Sequence, residues 1–220
     1  SDTQFDDEIL DSNAISPTDE EGNPVPVTIP IALAPGVTVV YTTRLGGVSH
    51  GDFGDCNLGG KGGDDPQAIL ANRVSLAKSI GCGLSLVRQV HSGRAVDVDA
   101  SWHLNTPFGF DVSGTPGEVT ADGEAQAATV VEADGQVTSR AGVALGMFAA
   151  DCLPVLMADA QAGVIGAAHC GRKGLQRGII GATIDAMVAK GAAPERIAAT
   201  LGPCICGDCY EVGDAIADEF

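Results

Sequence analysis

The chain has 220 residues, enough for one sizeable domain with a full core, and 45% of them are hydrophobic, which excludes a disordered protein. Only 4% are aromatic while 30 are glycine, so the core must be aliphatic and many turns tight. Lys and Arg number 12 against 29 Asp and Glu, a net charge of −17, and nothing in that balance could neutralise a nucleic acid or an anionic membrane. No run of 18 apolar residues suggests a membrane span. Ser1–Leu10 is acidic and lacks a basic n-region, so no signal peptide is expected. Seven cysteines read as thiols of a reducing cytoplasm, some of them available as metal ligands.

Residues 1–27 carry eight acidic side chains and no basic one, with Pro17, Pro24 and Pro26 breaking any helix; this segment reads as a mobile acidic arm. A folded domain over 28–220 follows. Val37–Thr43 is β-branched and predicts a strand running into the Gly-rich turn Arg44–Ser49. Asp65 and Pro66 open a helix that Gly81 ends, with Ile69, Leu70, Val74, Ala77 and Ile80 expected inward. Leu86–His91 predicts a short strand. Residues 99–130 show weak periodicity and read as an excursion. Three apolar runs, 142–149, 153–158 and 164–168, are too short for helices and predict strands. Leu175–Lys190 predicts one amphipathic helix with Ile179, Ile180, Ile184, Met187 and Val188 inward, and 197–201 a last strand. The final eight residues begin a helix. Strands interleaved with helices imply a mixed α/β (α+β) class with a largely buried sheet.

Three ligand-type residues fall at strand ends: His91, Cys152 and His169. Cys152 and His169 are about one β-turn-β unit apart, whereas His91 must converge through the fold. Two imidazoles and a thiolate suit Zn²⁺ with a fourth position left for water. The same trio fits a Cys nucleophile with a His base, or two hydrogen-bonded core histidines and a buried thiol. Cys206 and Cys209 form a CxxC without a second one, which fits a redox pair, a metal half-site or plain loop thiols. Arg172 and Lys173, placed before the helix from Leu175, and Arg44 in the Gly-rich turn are candidate anion ligands or solvated cations.

Thr42-Thr43-Arg44-Leu45-Gly46-Gly47-Val48-Ser49, Asn57-Leu58-Gly59, Asn72-Arg73, Gln89-Val90-His91, Ala150-Asp151-Cys152-Leu153-Pro154-Val155, His169-Cys170-Gly171, Gly202-Pro203-Cys204-Ile205 and Cys209-Tyr210-Glu211-Val212 together resemble, in order, the motifs of the laccase-domain family. That family is also called the multi-copper polyphenol oxidoreductase family and the laccase-domain purine nucleoside phosphorylases. The resemblance covers residues 37–213. It implies a layered single-domain α/β fold with mixed sheets flanked by helices. It implies zinc held by His91, Cys152 and His169, which also serve as the catalytic set. The implied activity is phosphorolysis of adenosine, inosine and methylthioadenosine, with adenosine deamination beside it. Substrate contacts are then expected from Arg44, Asn57, Arg172 and Lys173, with Asp134 or Asp151 orienting a zinc ligand or a ribose hydroxyl. The family's His-Ala-Gly-Trp-Arg-Gly stands here as His169-Cys170-Gly171-Arg172-Lys173-Gly174, so a Lys replaces an Arg and a Trp is missing. The spacing between His91 and Cys152 is long for the family, consistent with an insertion at 99–130, and the chain ends before the family's usual C-terminal segment. A copper-dependent polyphenol oxidase is the alternative, but four histidines cannot furnish both a blue-copper site and a trinuclear cluster. A non-enzymatic, zinc-stabilised binding protein is the other.

Overall fold

A computed structural model describes residues 17–60, 62–100 and 131–218. Most of the acidic arm and of the 99–130 excursion lies outside the described residues. Strands and helices are mixed along the chain, with a long run of strands between the first helix and the second. Strands β1 (Thr28–Ala34) and β2 (Val37–Thr42) pair antiparallel across a tight turn at Pro35-Gly36. Helix α1 (Pro66–Ile80) is followed by the short strands β3 (Gly83–Ser85) and β4 (Ala95–Asp97). After the excursion come β5 (Gly135–Thr138), β6 (Val143–Leu145), β7 (Leu153–Asp159) and β8 (Val164–Cys170). Helices α2 (Arg172–Gln176) and α3 (Ile179–Ala189), strand β9 (Ala198–Leu201) and helix α4 (Asp214–Ala217) complete the chain.

The central sheet has five strands in the order β4-β5-β8-β7-β9, antiparallel except for the β4–β5 pair. A parallel β3–β6 pair and the β1–β2 hairpin form smaller sheets. Helix α3 covers β8, β5 and β4. Val137, Val155, Met157, Val164, Ala168, Ile179 and Met187 are all buried in the resulting core. It is aliphatic, as the scarcity of aromatics requires, and its gain comes from area removed from water at about 25 cal/mol per Å². The class is mixed α/β in a single domain. Among the described residues no helix is long and apolar enough to cross a membrane.

Helix α1 starts where its caps predict: the Asp65 side chain accepts from the Gln67 N–H, and Gly81 closes the far end in the left-handed conformation. Its inward face differs from the hydropathy pattern. Ile69, Asn72, Arg73 and Leu76 are the buried residues, while Val74 is 47% exposed. Polar partners decide the rotation. Asn72 donates to Ser49 Oγ and to the Asn57 carbonyl, each at 2.9 Å, and accepts the Val48 N–H. Arg73 donates to the Leu58 carbonyl at 2.8 and 3.0 Å and lies over the Phe148 ring.

Three other expectations change. The strand expected over 86–91 is reduced to a single parallel bridge between Arg88 and Glu132, with β3 just before it and irregular backbone after it. The run 142–149 shrinks to β6, because Gln89 pairs with the backbone of Phe148, donating to its carbonyl and accepting its N–H at 2.7 Å each. The single helix expected over 175–190 is two helices, α2 and α3, divided at Gly178, whose φ is +74°. Arg172 and Lys173 therefore lie inside α2 rather than in a turn ahead of a helix. On α3 the buried face is Ile179, Thr183 and Met187, with Val188 left 42% exposed.

Candidate metal centre

Strand pairing brings the centre together. Leu153 pairs with Cys170, Pro154 with His169, and Gly135 with Ala168. The start of β7, the end of β8 and the start of β5 therefore share one edge of the central sheet. Cys152 immediately precedes β7, His169 is the penultimate residue of β8, and Asp134 immediately precedes β5.

Asp134 is fully buried, and its carboxylate organises the rest. It accepts the backbone N–H groups of Val90 at 3.2 Å, His91 at 3.0 Å and Ser92 at 2.6 Å, together with the Ser92 hydroxyl at 2.7 Å. Those bonds satisfy the N–H groups of residues 90–92 in place of a strand ladder, so the pairing that begins at Arg88 goes no further. They hold His91 at a φ of +58°, and the Arg177 guanidinium donates to its carbonyl oxygen. The fifth bond to Asp134 comes from His169 Nδ1 at 2.9 Å. Burial pushes the Asp134 carboxyl up, but the hydrogen bonds from His169 and Ser92 outweigh it and hold the group well below the usual carboxylate range. An ionised carboxylate only accepts, so His169 Nδ1 donates in this bond and Nε2 is the ring nitrogen left to face a metal.

His91, Cys152 and His169 offer ligand atoms that all lie within 4.8 Å of one another. Cys152 Sγ is 3.8 Å from His91 Nε2, and the two imidazoles meet edge to face with centroids 4.8 Å apart. Tetrahedral zinc bonds of about 2.0–2.3 Å place neighbouring ligand atoms about 3.4–3.6 Å apart, so the set fits a metal with little movement. Gly171 makes the space: a Cβ there would come within 2.5 Å of Cys152 Sγ and 3.3 Å of His91 Cδ2. Burial raises the Cys152 thiol above its ordinary value, with the Asp151 and Asp134 charges adding to it, so a cation is what would make this sulfur a thiolate.

Cys152 also forms part of the wall of a cavity of about 440 Å³, with Leu153, Gly171 and Arg172 beside it and Ile205, Tyr210, Val212 and Ile216 elsewhere around it. The lining is mostly apolar, with Asp151 and Arg172 as its charged members. Neither His91 nor His169 lines it, so Cys152 is the candidate ligand shared between centre and cavity.

Of the other residues singled out from sequence, Asp134 and Asp151 are thus at the centre or on the cavity wall, and Arg172 is on that wall. Lys173 is exposed and does not line the cavity. Arg44 is exposed and donates to the Asp52 carbonyl at 2.6 Å. Asn57 donates to Asp64 at 3.0 Å within the loop network that α1 holds. Gly171 appears in the family motif His169-Cys170-Gly171, but its role as spacer was not read from sequence; Ser92 and Arg177 were not singled out, and although Ser92 follows His91 directly, nothing local marks Arg177.

Residues 38–220 match the family described as multi-copper polyphenol oxidoreductase laccase. The chain belongs to this family. Within it, the chain is similar to a Streptomyces griseus protein named purine nucleoside phosphorylase ORF3, 44% identical over 182 residues that cover 81% of this chain and 65% of the relative. It is also similar to a protein of an unknown prokaryotic organism named adenosine deaminase RL5, 32% identical over 188 residues, 84% of this chain and 66% of the relative. The crystal structure of Neisseria meningitidis protein NMB0706 superposes with a TM-score of 0.68 at 31% identity, covering 89% of this chain and 69% of that one. The chain spans about two thirds of the length of these curated laccase-family relatives.

Proposed function

We propose that this laccase-family chain is a zinc-dependent purine nucleoside phosphorylase that also deaminates adenosine. The observation that carries the proposal is the convergence of His91, Cys152 and His169 within 4.8 Å beside a cavity of about 440 Å³. The names of the relatives, phosphorylase for one and deaminase for another, supply the substrate class. His91, Cys152 and His169 hold the metal, and zinc bound there supplies Lewis acidity at the edge of the cavity.

The chain's own groups do the remainder. Asp134 keeps His169 in the tautomer that leaves Nε2 free for the metal, and with Ser92 it fixes the backbone that carries His91. Leu153, Ile205 and Tyr210 form an apolar wall against which a purine can lose its water. Asp151 is within reach of the cavity for a ribose hydroxyl. Arg172 supplies the cation for phosphate, with Lys173, Arg44 and Asn57 assigned to the same substrate set from the family motifs. In phosphorolysis a phosphate oxygen bonds to the anomeric carbon while the C–N glycosidic bond breaks, its electron pair going to the base. In deamination water adds to the purine carbon bearing the amino group and ammonia leaves. The family's description names copper and polyphenols, but the four histidines within residues 1–220 fall short of the imidazoles that laccase copper sites need.

The test is a chromatographic panel of adenosine, inosine and methylthioadenosine with and without phosphate, using the zinc-loaded full-length protein. Free base should appear only with phosphate, and inosine should form from adenosine without it. Arg172→Ala should raise the KM for phosphate roughly ten- to hundredfold, as loss of a charge-assisted bond of about 1.5–3 kcal/mol implies, and spare deamination. Turnover of none of the three nucleosides would overturn the proposal.

A further inference from the structure

The function above uses none of the three thiols in the loop after β9. Cys204, Cys206 and Cys209 are free and exposed, whereas Cys56 and Cys170 are buried. The loop is not slack. Ile205 N–H donates to the Asp151 carbonyl at 3.0 Å, and the N–H groups of both Cys209 and Tyr210 donate to the Cys206 carbonyl at 3.1 Å. A bond from residue i to i+3 closes a turn whose ends lie within about 7 Å at Cα, and a disulfide spans about 4.4–6.8 Å. The backbone around Cys206 and Cys209 is therefore already bent to the reach of a disulfide. The neighbouring Cys209 thiol and the N–H groups of Cys209 and Asp208 lower the Cys206 thiol below its ordinary value, so of the pair it is the readier thiolate. Cys204 has no such arrangement. It sits two residues before Cys206 and faces the cavity instead.

We propose that Cys206 and Cys209 are a reversible dithiol–disulfide couple, an oxidisable site distinct from the metal centre, with hydrogen peroxide as its oxidant. The Cys206 thiolate attacks one peroxide oxygen and the O–O bond breaks. The departing hydroxide takes up the proton lost by the Cys206 thiol and leaves as water, and Cys206 becomes a sulfenic acid. The Cys209 sulfur then attacks the Cys206 sulfur, the S–O bond breaks, and the leaving hydroxide takes the Cys209 proton. Two thiols are oxidised to one disulfide and one peroxide is reduced to two waters. A small-molecule dithiol reverses the reaction by exchange through a mixed disulfide.

The experiment treats the reduced, zinc-loaded full-length protein with stoichiometric hydrogen peroxide and counts thiols by alkylation after denaturation. The count over residues 1–220 should fall from seven to five and return with dithiothreitol, and fragmentation of the peptide should place the bond between Cys206 and Cys209. Cys204→Ser should still lose two thiols. Cys206→Ser and Cys209→Ser, both at exposed loop positions and checked for folding by circular dichroism, should lose no pair. A disulfide mapped to Cys204 or Cys152, a pair still lost in Cys206→Ser, or sulfinic acid without any disulfide would overturn the proposal.

Discussion

Asp134 shows how one side chain sets up a centre it does not enter. Its oxygens collect three backbone N–H groups and the Ser92 hydroxyl from one side and the His169 ring from the other. It therefore positions two proposed ligands, one through its backbone and one through its ring nitrogen. Asp134→Asn keeps the size but replaces one acceptor oxygen by a donor, which faces N–H groups that need acceptors. Partners of metal-bound histidines typically change affinity by about 10–100-fold when mutated. A chelator competition should accordingly show zinc bound about 10–100-fold more weakly by Asp134→Asn. Unchanged affinity in a folded variant would mean that His169 needs no orientation or takes no part.

At the scale of elements, legibility followed where backbone bonds go. Strands β7 and β8 were readable because these inner strands appear as unbroken apolar runs, whereas β5, equally inner, reads Gly-Gln-Val-Thr and gave no such signal. Helix α1 was bounded correctly by Asp65, Pro66 and Gly81, yet its buried face was misread because Asn72 and Arg73 find polar partners that hydropathy ignores. Residues 86–91 looked like a continuous strand because nothing in a local window shows that a carboxylate 43 residues beyond His91 will take the N–H groups of residues 90–92. The break between α2 and α3 was likewise hidden inside one amphipathic pattern. It rests on Gly178 at φ +74°, where an added Cβ meets nothing within 4 Å. Gly178→Ala should thus cost only the left-handed penalty, about 1–2 kcal/mol in denaturant unfolding. An unchanged or raised stability would show that residues 172–189 run as one helix in solution.

The far end of β7 offers a pH test. Asp159 is fully buried and accepts the Ala193 N–H at 2.9 Å and the Arg196 guanidinium at 2.8 Å, tying the sheet to the turn after α3. The Ala193 bond above all, with Arg196, lowers its carboxyl to about 2. A carboxyl depressed by folding contributes stability that is fully present above its unfolded value of about 3.9. That stability is lost as pH falls through the folded value. The difference in unfolding midpoint between the native protein and Asp159→Asn should therefore be constant above about pH 5 and shrink between about pH 4 and 2. A gap independent of pH across that range would contradict the pairing.

For the whole molecule, the arrangement places a candidate cation site in a strongly acidic chain, with a net charge of −17. Such a field favours a bound metal and opposes a phosphate dianion, so the anion depends on local cations such as Arg172 on the cavity wall. Of the site, Cys152 and His169 were legible because strand ends are rigid supports facing open space, whereas His91 was picked out from a strand that the structure reduces to one bridge. Their convergence was not, since it depends on the antiparallel register that sets Cys152 beside His169 and on Asp134 drawing in His91. The zinc assignment is tested most directly by anomalous scattering at the zinc edge from crystals of the full-length protein. The account predicts one peak per chain, bonded to His91, Cys152 and His169 at about 2.0–2.3 Å. A peak elsewhere, or none at these three residues in zinc-loaded protein, would contradict it.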